Sequence, residues 1–320
     1  MRWLKVILAV VLVLAVASLT ACSGASGLPE WLERFAENTF PPAEEPTATP
    51  EPEPAPEPVP APQPTPLEPS PEPEPEPEPA PTPAPAPAPG PAPTDNTTRG
   101  WWYTANTSHA VPSIPADASR LLAAYSGRYI GPNSAVVYLT FDQGYENGYT
   151  ASILDTLKRN GVKATFFVTG SYVRNNPALV RRMVNEGHVV GNHTETHPSL
   201  PTLTGDASAF AAELTKVEQA FTDVTGATMA RVMRPPMGEY SALSLWRTQQ
   251  LGYDSVFWSF AHRDWLVDDQ PPVDVTLQRI LGGSHPGAIY LLHSVSSSNT
   301  AALDDAIKGL RAQGYGFGTL

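Results

Sequence analysis

Four polar clusters in the C-terminal two-thirds of the chain carry residue types that could do chemistry. Asp142 sits in Thr140-Phe141-Asp142-Gln143-Gly144, just past an apolar run. His193 and His197 bracket Thr194-Glu195-Thr196, two imidazoles four apart that could hold a metal ion. Arg234 opens Arg234-Pro235-Pro236-Met237-Gly238, and His293 ends Ile289-Tyr290-Leu291-Leu292-His293. Asp264-Trp265 lies between the last two. A carboxylate and an imidazole held across one cleft can take and give protons near neutral pH. Each cluster alone has a structural use as well. Asp142 could cap a helix starting near Tyr149, and the histidine pair could lie on the surface or in the core. Arg234 could sit in a rigid turn with an ion-pair partner, and His293 could be a satisfied polar residue. Their order and spacing within one domain favour the chemical reading.

Those residues need a scaffold, and the pattern supplies one. Apolar runs rich in β-formers at 135–141, 163–168, 188–191, 231–234, 254–259, 288–293 and 316–320 predict strands. Helical spacing, stopped by Gly161, Gly187 and Gly226, predicts helices at 149–160, 177–186 and 206–225. Two more helices are expected at 240–251 and 300–313. Strands alternating with helices imply a parallel sheet, open or closed into a barrel. The polar clusters fall at strand C-terminal ends, where α/β barrels place their chemistry.

Taken together, the clusters resemble the motifs of carbohydrate esterase family 4, the polysaccharide deacetylases. The resemblance spans residues 101–320 and implies an irregular (β/α) barrel with its active site at the strand C-terminal ends. It implies metal-assisted hydrolysis of an N-acetyl group on a hexosamine. Asp142 would be the general base, His193 and His197 the ligands of a divalent metal ion (zinc is the expected ion), and Arg234 the residue that holds the base. The backbone N–H of Met237 would face the oxyanion, and His293 would be the general acid. The runs 138–149 and 286–293 look like the branch acting on N-acetylmuramic acid, which leads to the muramic δ-lactam of peptidoglycan. Residues 101–112, with His109, look like that branch's leading segment.

Two positions depart from the general pattern. Gln143 stands where a second Asp is the third metal ligand, so a neutral amide oxygen would take that place. Ala261 stands where a first Asp is common, which leaves Asp264 to tune His293 or to act as a structural cap. Arg263, His109, Tyr145, Tyr149 and Trp265 are the candidate contacts to the sugar and its lactyl group. Rival readings are an N-acetylglucosamine or chitin-type deacetylase, and a catalytically weak wall-binding lipoprotein.

Composition separates the N-terminal third from this domain. About 25 of the 37 prolines lie between Pro41 and Pro93, with about ten glutamates and no Lys or Arg. That run accounts for most of the net charge of −12, and no basic patch suggests nucleic acid. Alternating X-Pro predicts a disordered polyproline II spacer over 41–100. Arg2 and Lys5 precede an apolar stretch that ends in Leu19-Thr20-Ala21-Cys22, which resembles a lipobox. The single cysteine, Cys22, allows no internal disulfide and is the expected lipidation site. The expected layout is a signal peptide at 1–21, a tether and short helix at 22–40, the spacer, and a catalytic domain at 101–320. The expected setting is outside the cytoplasm, lipid-anchored to the membrane of a Gram-positive bacterium. Peptidoglycan glycan strands are the expected partner of a monomer.

Overall fold

The computed structural model describes residues 90–133 and 135–320. Cys22, the signal stretch and the spacer as far as residue 89 lie outside the described residues. Strand β1 (Arg99–Gly100) and helix α1 (Ala116–Ala124) lead into the body. Its first half runs β2 (Gly127–Arg128), β3 (Val136–Gln143), α2 (Thr150–Arg159), β4 (Thr165–Val168), α3 (Gly170–Asn175), α4 (Pro177–Asn185) and β5 (Val189–Asn192). Then come α5 (Leu200–Leu203), α6 (Ala207–Thr225), β6 (Val232–Met233), β7 (Glu239–Tyr240), α7 (Ala242–Gln250) and β8 (Asp254–Val256). The chain closes with β9 (Phe260–Ala261), α8 (Val273–Gly282), β10 (Ile289–His293), α9 (Ser297–Ala312) and β11 (Gly316–Phe317).

The main sheet has the order β2-β8-β6-β5-β4-β3-β10-β9, with β11 also pairing β3. Its pairings are parallel, and helices surround it, so it forms the curled, incompletely closed barrel expected from the strand–helix alternation. Central strands buried on both faces read as continuous apolar runs, and β3 shows how the two faces divide. Val137, Leu139 and Phe141 pack outward on Ile153, Leu154 and Leu157 of α2. Tyr138 points the other way, among Phe167, Val232, Val256 and Ile289 inside the curl. Helix ends follow local chemistry. Asp206 accepts from the N–H groups of Ser208 and Ala209 to start α6, and Gly226, at φ 72°, ends it.

Four features depart from the sequence expectation. The strand expected at 254–259 stops at Val256 as β8, beside β6, and a separate strand β9 at 260–261 lies elsewhere in the sheet, beside β10. The carbonyls of Val256 and Phe257 turn away to accept from the Arg234 guanidinium. Helix α7 starts later than expected, because Glu239 and Tyr240 pair antiparallel with Gly100 and Arg99. Helices α1, α3, α5 and α8 were not foreseen. Folded contacts also begin ahead of Trp101. Asn96 donates to the Pro201 carbonyl and accepts from Ser241, so these residues already belong to the barrel's surface.

Candidate active site

The strand register gathers the chemical residues at one edge. Asp142 is paired with His293 across β3 and β10. Gln143, Val168, Asn192 and Met233 line up across β3, β4, β5 and β6, and His193 and Arg234 follow one residue beyond. A cleft of about 620 Å³ opens there, lined by Asp142, His193, His197 and His293. Tyr145, Met237, Trp258 and Trp265 form further parts of its wall.

Arg234 is fully buried and donates from Nη1 to Asp142 Oδ1 at 2.7 Å. Its guanidinium lies over the Phe167 ring at 4.3 Å, so its charge is packed on both an acid and an aromatic face. Burial alone would raise the Asp142 pKa. The charges of Arg234, His193 and His293, with the Arg234 hydrogen bond, outweigh it and hold the carboxyl below its ordinary value. Asp142 is therefore an ionised proton acceptor and caps no helix. Glu146 takes the capping work, accepting from the N–H groups of Gly148 and Thr150 and from the hydroxyls of Thr150 and Tyr172.

The two imidazoles sit with ring centroids 4.8 Å apart. His193 Nδ1 is 2.9 Å from the Arg234 carbonyl, which can only accept, so Nδ1 carries the hydrogen and Nε2 is a lone pair. That lone pair is 3.5 Å from Asp142 Oδ2. Two acceptors facing each other across this gap are the chemistry of a site that takes a cation. Burial pushes His193 down to about 4 and also lowers His197, so both rings are neutral, as metal ligands must be. The segment is held in a costly shape. Thr194 and His197 lie at φ 67° and 59°, and Thr194 is β-branched. Asn192 Oδ1 and Glu213 hold it by accepting from the N–H groups of Thr194 and Thr196.

Gln143 lies elsewhere. It is fully buried, its amide donates to Ser294 Oγ, and it is not among the residues lining the cleft. Its Oε1 is a buried acceptor without a hydrogen-bond partner among the described residues. Among those residues no group of three His, Cys, Asp or Glu side chains forms a metal cluster. The two imidazoles are protein donors that fit an ion here, and the unpartnered Gln143 Oε1 is a further acceptor at the same sheet edge.

On the acid side Asp264 is fully buried, and its Oδ1 accepts from His293 Nδ1 at 2.6 Å. The backbone N–H of His293 reaches Oδ2 at 2.8 Å. Burial alone would lower the His293 pKa, but the hydrogen bond and charge of Asp264, with the charge of Asp142, raise it above its ordinary value. Asp264 therefore tunes His293 and caps no element. With Nδ1 occupied, Nε2 is the nitrogen left to donate, and Trp265 flanks the ring edge-on at 5.8 Å.

Met237 is at φ 57° in the turn Pro236–Gly238, a conformation unfavourable to a side chain, and 57% of it is exposed. Gly238 follows at φ 68°, and a Cβ there would meet Trp258 at 2.7 Å and Trp101 at 3.0 Å. Trp101 stacks on Phe257 at 4.5 Å and donates from its indole to the Trp258 carbonyl at 2.9 Å. The leading segment thus buttresses the turn from behind.

Of the candidate sugar contacts, Tyr145 and Trp265 line the cleft and three do not. Tyr149 starts α2 and packs on the core. Arg263 pairs with Asp269 in solvent, and His109 Nδ1 bonds to Ser284. Arg263 and His109 line a separate cavity. Trp258 and Asn299 were missed by the sequence reading. Trp258 looked like one more strand aromatic, and Asn299 lay inside a serine-rich run.

A chain with this arrangement of buried carboxylates and imidazoles matches a known family pattern. The polysaccharide deacetylase family pattern covers residues 130–256. The peptidoglycan-N-acetylmuramic acid deacetylase PdaA of Bacillus subtilis is 42% identical over 223 residues, covering 69% of this chain and 84% of the relative. The chain belongs to the polysaccharide deacetylase family. The crystal structure of B. subtilis PdaA, a family 4 carbohydrate esterase, superposes with a TM-score of 0.67 at 41% identity, covering 70% of this chain and 95% of that one. A peptidoglycan-N-acetylglucosamine deacetylase of Bacillus cereus is 38% identical, over 62% of this chain and 70% of its own length. The protein is accordingly a carbohydrate esterase family 4 hydrolase with a deacetylase active site.

Proposed function

We propose that this deacetylase removes the acetyl group from N-acetylmuramic acid in peptidoglycan, on the way to the muramic δ-lactam, with assistance from a divalent cation. The observation that carries the reading is the facing pair of Asp142, bonded to Arg234, and His293, bonded to Asp264, on adjacent strands. Asp142 accepts a proton from the attacking water at its carboxylate, while Arg234 keeps that carboxylate in place. His293 delivers a proton from Nε2 to the departing nitrogen, since amide cleavage needs a protonated leaving group. The N–H of Met237, in the strained turn that lines the cleft, would donate to the oxyanion. His193 and His197 would hold the cation, expected to be zinc, which when bound supplies Lewis acidity toward water and carbonyl.

Support for muramic acid comes from the identity and coverage shared with PdaA, both above those for the glucosamine enzyme. It comes also from the leading segment, which in this fold packs behind the oxyanion turn. We further propose that a diacylated Cys22 tethers the enzyme outside the cytoplasm, with the Pro-rich run as spacer. Mass spectrometry of peptidoglycan fragments tests the substrate. Loss of acetyl from muramic acid is expected, and loss from glucosamine alone would transfer the assignment to the rival substrate. No mass change with any divalent ion would overturn the activity.

A further inference from the structure

Behind the general acid the hydrogen bonds continue. Asp264 Oδ2 accepts from the Asn299 side-chain amide as well as from the His293 backbone. The other end of that amide, Oδ1, lies 2.9 Å from His262 Nε2. An amide oxygen only accepts, so His262 Nε2 must carry a hydrogen. The Asp264 carboxylate likewise only accepts, so the two contacts together fix which way the Asn299 amide faces. With its oxygen held by His262, its NH₂ is turned to Asp264. His262 is buried, and burial lowers its pKa, with the Arg279 charge acting in the same direction and Asp264 opposing. Its Nδ1 has no hydrogen-bond partner among the described residues, and its ring lines the second cavity, of about 450 Å³. Neither His262 nor Asn299 lines the catalytic cleft.

We propose that Asn299 and His262 are positioning residues for the general acid. His262 fixes the Asn299 amide so that an N–H, not a carbonyl, meets Asp264, and this keeps the carboxylate aimed at His293. The proposal rests on the reading of His293 as general acid, and it adds two residues that act through another. The direction of the effect follows from the pair. Losing the Asn299 donor destabilises the Asp264 carboxylate most when His293 beside it is neutral. The pair then releases its shared proton at higher pH, as a unit. The other charges around His293, those of Asp142 and Arg234, are left in place.

The test uses His262→Phe, Asn299→Leu and His262→Gln in the full chain, with thermal unfolding confirming that each is folded. His262→Phe and Asn299→Leu should lower kcat by roughly tenfold with KM unchanged. Both should also move the alkaline limb of the pH profile upward, by on the order of half a pH unit. The His293 ring titration, followed by NMR without substrate, should move with it. His262→Gln keeps an N–H donor and should restore both. A folded His262→Phe with wild-type kcat and His293 titration overturns the proposal, and so does a lower kcat with an unmoved titration. The reading of His293 is separately exposed, because His293→Ala with normal turnover removes it whatever the NMR shows.

Discussion

Asp142 and Asp264 are both buried carboxylates bonded to a nitrogen cation or base, yet in the proposed mechanism they serve opposite ends of one proton transfer. Asp142 faces Arg234, whose charge does not titrate in the working range, so the pairing lowers the proton affinity of the carboxylate itself. Asp264 faces His293, whose charge does titrate, so the same attraction raises the proton affinity of the imidazole. The identity of the partner, more than the carboxylate, decides which member becomes base and which becomes acid. The surroundings differ too. Arg234 is locked under Phe167 and strand carbonyls, whereas His293 stands at the strand end with one face toward the cleft.

Arg234→Leu breaks the first pair and has the largest expected effect. It leaves a buried carboxylate without its cation, which costs about 3–5 kcal/mol when one partner of a buried pair is removed. Asp142 then titrates higher, so the acidic limb of kcat/KM moves upward in pH. Denaturant unfolding and a pH profile measure both, and an unmoved limb would show that Arg234 does not set the base. Asp142→Asn and His293→Ala come next, each expected to lower turnover by about two orders of magnitude or more while the fold survives. Normal turnover in a folded variant removes the role assigned to that residue.

Asp264→Asn tests the second pair with a smaller effect. It removes the charge and hydrogen bond that raise His293 and leaves the burial that lowers it. The His293 pKa should therefore fall, and the alkaline limb of kcat/KM should move to lower pH. The proton-donating form, present below that pKa, is then scarcer at neutral pH, and the rate loss should shrink in more acidic buffer. A limb that stays in place would show that Asp264 only supports the loop.

The two pairs were unequally legible in the sequence. Asp142, Arg234 and His293 sit in strand-end clusters, and the pattern of apolar runs and Gly stops located those strands to within a few residues. The fold class followed from the same alternation. The supports of each pair were hidden because they depend on three-dimensional neighbours. Nothing in a serine-rich run marks Asn299 as the partner of Asp264, 35 positions away. Nothing in 254–259 signals that two carbonyls leave the ladder for Arg234. The strained backbone at Thr194, His197 and Met237 was equally hidden, since none of these is a glycine. Gln143 shows the reverse case. Its place in the motif suggested a ligand, and the sequence could not show that its amide nitrogen is spent on Ser294, leaving only Oε1 without a partner among the described residues.

The smallest expected effect concerns Arg263, one residue before Asp264 and facing a different way. Its sequence position suggested a guanidinium grip on the lactyl carboxylate of muramic acid. In the fold it pairs with Asp269, and both side chains are more than half exposed. Exposed ion pairs of this kind contribute about 0–1 kcal/mol. Its neighbour Trp265 lines the cleft and touches His293, so adjacent residues should respond differently. Arg263→Ala should leave kcat/KM equal to wild type on glycans that carry stem peptides and on glycans that lack them. Trp265→Ala should lower it on both, since the indole walls the ring that donates the proton. A selective loss in Arg263→Ala on the stem-free glycan would return Arg263 to the substrate site. It would also mean that segment 263–269 rearranges when the sugar binds, breaking the Asp269 pair to free the guanidinium.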